Sequence, residues 1–320
     1  MVKYILLVVV GLVVIMGGAN LLTDGASALA RKFKIPQIII GLTIVAFGTS
    51  APELAVSIVS GIEGNGGIAI GNVIGSNIFN VLAILGITAL IHPLPVHLNS
   101  VRFDIPIAIL AACILLVVLS DMALDGLPPM VTRVESIILT IMGILFLLYT
   151  IYMGKNGQDE TPEVPAKEIH WAVSTLMIVA GLGALVVGGN IFVNNASAIA
   201  KDIGVSDTLI GLTLVAWGTS LPELATSIVA ASKKNTGIAV GNVVGSNIFN
   251  IFFVLGISGT IRPLRDLTFT TLDIWMQLVA IIIAFGFALF WGKREINRAE
   301  GLMMLIVFVA YNAVLISNAL

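Results

Sequence analysis

Charge is scarce in this sequence. Only 11% of its 320 residues are charged, 58% are hydrophobic, and the mean hydropathy is +1.07. Soluble domains carry about a quarter charged residues, so composition excludes a soluble fold and indicates an integral membrane protein. The net charge of −2 carries no nucleic-acid signal. Cysteine is almost missing. Cys113 stands alone in an apolar run, which excludes an internal disulfide and reads as a small core or lipid-facing residue. The histidines are three, His92, His97 and His170, all in predicted loops or at helix ends. With no HExxH, CxxC or Ser–His–Asp arrangement, nothing points to an enzyme.

What the sequence has is long apolar runs, enough for ten helical spans. They fall near 2–24, 37–61, 67–91, 104–120 and 134–153, then near 171–197, 208–231, 237–260, 270–290 and 300–318. Residues 154–169 are the most polar stretch and read as a linker between a first unit, 1–153, and a second, 170–320. The first span has features of a signal peptide, with Lys3 ahead of it and the small-residue run Ala26–Ala30 after it. That reading fails because Ala196–Ala200 repeats the pattern deep in the chain, where no signal peptidase acts.

The two units are copies. Gly41–Glu53, GLTIVAFGTSAPE, returns as Gly211–Glu223, GLTLVAWGTSLPE, and Gly71–Asn80, GNVIGSNIFN, as Gly241–Asn250, GNVVGSNIFN. A constant spacing of 170 residues relates the copies, and Gly41–Ile91 needs no gap. Five spans per copy is an odd number, so the second copy enters the membrane from the opposite side, the inverted repeat of many secondary transporters. The fold class expected is an all-α membrane protein of ten helices in two inverted five-helix repeats.

Loop charges set an expected orientation. Lys3, Arg133, Lys201, Arg262 and Arg265 lie on the side of the N-terminus. Arg31, Lys32, Lys34, Arg102, Lys155, Lys167, Lys233, Lys234, Lys293, Arg294 and Arg298 lie on the other. The Lys/Arg excess marks the second side as cytoplasmic, which leaves both termini extracellular.

The repeated stretch is a helix broken where it should be regular. Pro52 lacks an N–H and its ring clashes with the carbonyl one turn back, near Gly48. Lipid tolerates such a break only where the backbone lines a cavity or is buried in protein. Glu53 and Glu223 fall mid-span, and a carboxylate there is functional by default; the structural alternative is a protonated glutamate satisfied by a neighbouring helix. Thr49 and Ser50 precede Glu53 by four and three residues, which on a continuous helix puts all three on one face. Thr219, Ser220 and Glu223 repeat this. Ser76 and Asn80 are four apart, as are Ser246 and Asn250. Lone hydroxyls in such helices usually bond back to the chain or join helices; a duplicated row favours a ligand set over that reading. Two carboxylates, hydroxyls, amides and loosened carbonyls are hard oxygen ligands suited to Ca²⁺ or Na⁺. Asn77 and Asn247 point elsewhere on a helix and read as packing or supporting groups. Gly71, Gly75, Gly241 and Gly245 permit close helix approach, and Gly17, Gly18, Gly188 and Gly189 smooth the first and sixth spans. Asp104, Asp121 and Asp273 sit at predicted span ends, where solvation or capping accounts for them.

GTSAPE and GTSLPE, each followed by GNVxGSNIFN, resemble the two alpha-repeats of the sodium/calcium exchanger branch of the cation/calcium exchanger superfamily. The resemblance covers nearly the whole chain and is to the compact prokaryotic form, since only 154–169 stands where animal exchangers have a large regulatory loop. It implies an antiporter in the cell membrane, with Ca²⁺ and Na⁺ as substrates, lipid as surroundings, and no cofactor or obligatory protein partner. It further implies a central site of Glu53 and Glu223, the hydroxyls of Thr49, Thr219, Ser76 and Ser246, and backbone oxygens of Ala46, Thr49, Ala216 and Thr219, with Ser50 and Ser220 close by. Some relatives, the potassium-dependent ones included, have Asp where this chain has Asn250, so the amides Asn80 and Asn250 weigh against potassium dependence. The family's first and sixth spans slide against the other eight. A proton/calcium exchanger is the second reading; a cation channel or a membrane enzyme fits less well.

Overall fold

The computed structural model describes residues 2–96, 100–120, 126, 128–156, 169–204, 216–265, 267, 270–290 and 294–319. Nearly all of them are helical. The expected linker, His97, Asp121 and the lead-in Gly211–Val215 of the second copy lie outside the described residues, the linker except for its ends.

In chain order the helices are α1 (Val2–Phe33), α2 (Gln37–Thr49), α3 (Ala51–Glu63), α4 (Gly66–Ile91), α5 (Ile105–Val118), α6 (Arg133–Asn156), α7 (Trp171–Asp202), α8 (Ala216–Thr219), α9 (Leu221–Ser232), α10 (Thr236–Ile261), α11 (Thr271–Phe290) and α12 (Arg298–Ala319). Six of these, α1, α4, α6, α7, α10 and α12, are long and apolar enough to cross a membrane, and the bent pair α2–α3 makes a seventh. The first and sixth expected spans prove longer than their apolar runs, continuing to Phe33 and Asp202.

Burial separates central helices from lipid-facing ones. In α4 and α10, 78% and 94% of the apolar stretch is buried, against 28% or less in the other four. The GNVxGSNIFN copies therefore lie at the centre. Of the four close-approach glycines expected, two act so in α10: a Cβ on Gly241 would sit 2.5 Å from the Ile38 carbonyl oxygen, and one on Gly245 would sit 2.8 Å from Ala46 Cβ; Gly71 and Gly75 in α4 have no such neighbour among the described residues.

Helices α1 and α7 run against each other along a glycine seam. A Cβ on Gly11 would lie 3.0 Å from the Gly188 carbonyl, and one on Gly18 would lie 2.8 Å from that of Gly181. Of the four smoothing glycines expected, Gly18 and Gly188 are in this seam; Gly17 and Gly189 have no such neighbour among the described residues. The two helices meet the rest differently. Most of Leu22–Ala28 in α1 is buried against neighbours that include α9, whereas none of the residues 170 positions on, 192–198 in α7, is fully buried.

The ends are tied across the two copies. Leu94–Pro95 (β1) pairs antiparallel with Glu295–Ile296 (β2), just before α12, and Leu264 bridges Val131, just before α6. Both helices then start with reciprocal caps. Glu135 accepts from the backbone N–H of Thr132, and Glu300 from that of Asn297, each at 2.7 Å. His170 caps α7, its Nδ1 accepting from the Ala172 N–H. Asp273 accepts from Thr270 and from the Tyr311 hydroxyl. Asp104, expected at a span end as a solvated or capping residue, is only 7% exposed, so solvation does not account for it.

Candidate functional site

The repeated motif breaks where its proline predicts. Ser50 (φ −84°, ψ 10°) leaves the helical region, and α3 restarts with Pro52 in its first turn, where a missing N–H costs nothing. The bend between α2 and α3 is 44°. Ser220 (φ −90°, ψ 8°) marks the same break before α9. Wide π-helical turns stand beside both sites, at Gly41–Val45, Phe79–Ile84 and Asn250–Leu255; such turns leave backbone groups out of the regular ladder.

The break overturns one local expectation. Thr49, Ser50 and Glu53 do not form a row on one helix, because the chain turns between Thr49 and Ala51. Ser50 Oγ donates instead to Glu223 Oε1 at 2.7 Å, and Ser220 Oγ to Glu53 Oε1 at 2.9 Å. Ser76 and Ser246 approach the glutamate of their own copy, at 3.5 and 3.4 Å from Glu53 Oε1 and Glu223 Oε1. Both glutamates are 0% exposed. Each carboxylate thus has one oxygen engaged by two serines, and Oε2 of each is buried without a hydrogen-bond partner.

The central amides interlock. Asn77 Nδ2 donates to the Asn247 carbonyl at 3.4 Å and Asn247 Nδ2 to the Asn77 carbonyl at 3.3 Å. Asn80 Nδ2 donates to Asn247 Oδ1, and Asn250 Nδ2 to Asn77 Oδ1, both at 3.1 Å. Asn77 and Asn247 thus each accept from an amide of the other repeat, Asn250 and Asn80. With each Nδ2 spent in this way, Oδ1 of Asn80 and of Asn250 is left buried and unpartnered.

Asn72 and Asn242 went unremarked in the sequence, although both stand in the duplicated GNV. Asn72 Nδ2 donates to the Glu53 carbonyl (3.1 Å) and to Ser57 Oγ (3.0 Å); Asn242 Nδ2 donates to the Glu223 carbonyl (3.2 Å) and to Ser227 Oγ (3.0 Å). Thr49 Oγ1 donates to Asn242 Oδ1 at 3.1 Å and Thr219 Oγ1 to Asn72 Oδ1 at 3.4 Å. Ala46 lies at the start of the turn closed by Ser50, whose N–H bonds its carbonyl at 3.0 Å. Ala216 opens α8.

Every one of the side-chain contacts recurs with its partners shifted by 170 residues, whereas the backbone turn differs, the Ser220 N–H bonding the Trp217 carbonyl at 3.1 Å; the two halves of the chain supply one continuous buried cluster. The chain's sequence and fold are similar to those of known proteins. The sequence pattern of the family described as sodium/calcium exchanger protein fits residues 3–152 and 173–317. The chain belongs to the sodium/calcium exchanger family.

The putative antiporter CaxA of Alkalimonas amylolytica is 38% identical over 320 residues, covering 97% of this chain and 98% of that protein. The sodium/calcium exchanger MaX1 of Methanosarcina acetivorans is 33% identical over 346 residues, covering 97% of each. The crystallised sodium-calcium exchanger NCX_Mj superimposes with a TM-score of 0.82 at 29% identity, over 98% of this chain and 97% of that one. A family of exchangers is one of transporters and not of enzymes, and its members are multi-pass membrane proteins.

Proposed function

We propose that the chain exchanges Na⁺ for Ca²⁺ across the cell membrane by alternating access, through a central site built on Glu53 and Glu223. The observation that carries this reading is the set of four buried, unpartnered acceptors, Glu53 Oε2, Glu223 Oε2, Asn80 Oδ1 and Asn250 Oδ1. An uncompensated buried carboxylate is costly, and leaving it so is a severe penalty in a fully enclosed site. Four orphaned oxygens with no donor on them have the chemistry of a hard-cation site. The hydroxyls of Thr49, Thr219, Ser76 and Ser246 and backbone oxygens of Ala46, Thr49, Ala216 and Thr219 complete it. Ser50 and Ser220 steer the carboxylates by bonding Oε1.

Charge balance favours competition over co-occupancy. Two carboxylates neutralise one Ca²⁺ or two Na⁺ equally, so the two substrates exclude each other, and any further Na⁺ makes the cycle electrogenic. The reciprocal contacts at a spacing of 170 residues support ten spans in two inverted repeats, with the polar linker between the units. Alternating access then follows when one bundle moves against the other around a fixed site, and the glycine seam supports α1 and α7 as the moving pair. Both termini are extracellular in this reading.

Uptake of ⁴⁵Ca²⁺ into proteoliposomes, with outward Na⁺, K⁺ or H⁺ gradients imposed separately, is the test. The expected result is uptake on the Na⁺ gradient alone. Uptake driven by H⁺ and not Na⁺ makes the chain a proton/calcium exchanger, and uptake with no counter-ion requirement makes it a channel.

A further inference from the structure

The geometry points to Asn72 and Asn242 as positioning residues that aim the motif threonine of the opposite repeat at the cation. The inference rests on the ion-site reading above. A threonine hydroxyl has one proton and two lone pairs. It serves as a cation ligand only when its proton points away from the ion, so something else must accept that proton.

Thr49 has two acceptors within hydrogen-bond distance. Its Oγ1 is 3.1 Å from Asn242 Oδ1 and 3.4 Å from the Ala46 carbonyl. Thr219 Oγ1 meets Asn72 Oδ1 at 3.4 Å. A cation on the carboxylates repels a proton aimed at them, and a carbonyl that ligates the ion is lost as an acceptor as well. The asparagine Oδ1 is the acceptor left. It is held still for this purpose: Asn242 Nδ2 is bound to the Glu223 carbonyl and to Ser227, with Asn72 bound likewise to the Glu53 carbonyl and Ser57. Asn242 is 0% exposed, so water does not compete for Oδ1. The consequence is specific. Each asparagine holds the backbone beside the glutamate of its own repeat and orients the threonine of the other, so ligands from the two repeats are set together.

The test is a pair of double-mutant cycles on half-saturating Ca²⁺ and Na⁺ in proteoliposome exchange, with maximal rate followed separately. Asn242→Ala and Thr49→Val should each raise half-saturation by roughly three- to tenfold, the range of one hydrogen bond in a buried polar site. The matched double variant should be clearly less impaired than the product of the two single effects. The mismatched double, Asn242→Ala with Thr219→Val, should equal the product. Thr49→Ser, which retains the hydroxyl, should lose less affinity than Thr49→Val. The symmetric cycle, Asn72→Ala with Thr219→Val, gives the same comparison if Asn242→Ala does not assemble. Equal coupling in matched and mismatched pairs, or none in either, overturns the inference. Its failure is separable from that of the site: if Glu53→Gln abolishes exchange while the cycles are additive, only the positioning role falls, whereas full exchange by Glu53→Gln removes the site itself.

Discussion

Ser50 donates to Glu223, 2.7 Å away, although it lies three residues from Glu53 in the same motif. Ser220 answers by donating to Glu53 at 2.9 Å. Each half of the chain therefore completes the carboxylate environment of the other, and neither half contains a finished site.

Replacement of either glutamate follows from this. Glu53→Gln and Glu223→Gln keep the shape and remove one of two charges, so a bound Ca²⁺ is left half neutralised in an enclosed site. Ca²⁺ exchange should fall to near background in ⁴⁵Ca²⁺ flux, while size-exclusion profiles stay those of the parent. Transport near the parent rate in either variant would rule out the two-carboxylate site.

Asn250→Asp tests the amide cluster. Asn250 Oδ1 is buried without a partner and Nδ2 donates to Asn77. An aspartate there loses that donor and adds a third negative charge beside two others, which an additional cation or a proton must balance. The parent should exchange on a Na⁺ gradient with no added K⁺, and the variant should show a steeper pH dependence of exchange. An unchanged pH profile and ion preference would separate Asn250 from the ion cluster.

Asp24 and Lys233 pair at 2.7 Å, with side chains 48% and 31% exposed, and join α1 to the turn after α9. Asn235 donates to Ser27 beside them at 2.9 Å. The positions related by the 170-residue spacing are Asn194, Glu63, Ser197 and Asn65; Asn194, Glu63 and Asn65 are exposed and Ser197 Oγ has no partner. In the proposed alternating-access cycle, the ion pair stabilises the arrangement of α1 and α7 seen here. Being partly exposed it contributes no more than about 1 kcal/mol. Asp24→Asn should therefore shift Ca²⁺ half-saturation on one membrane face by at most about fivefold, and the exchanged pair Asp24→Lys with Lys233→Asp should return it toward the parent. Equal shifts on both faces would contradict this asymmetry.

Orientation is tested by labelling. Lys233 is engaged by Asp24, so the exposed Lys234 is the better reporter. In a Cys113→Ser background, Lys155→Cys and Lys234→Cys should react with an impermeant maleimide in inverted vesicles and not in intact cells. Reaction of both in intact cells would invert the orientation, and opposite answers would break the span count.

The sequence by itself determined the membrane class, the duplication, the oxygen-bearing side chains of the two repeats and the family, because each is a matter of composition, spacing or residue identity. Pro52 and Pro222 even located the helix breaks, since a missing N–H and a ring clash act locally. Only the tertiary structure decided which groups meet. Ser50 serves Glu223 and not Glu53 because the break turns its side chain out of the helical row, a consequence invisible to a periodicity that assumes a straight helix. Asn72 and Asn242 gained their place from contacts reaching 147 and 193 residues along the chain. The unequal burial of α1 and α7, equivalent by sequence, is decided by which side of the packed bundle each leans on, and no local pattern encodes that choice.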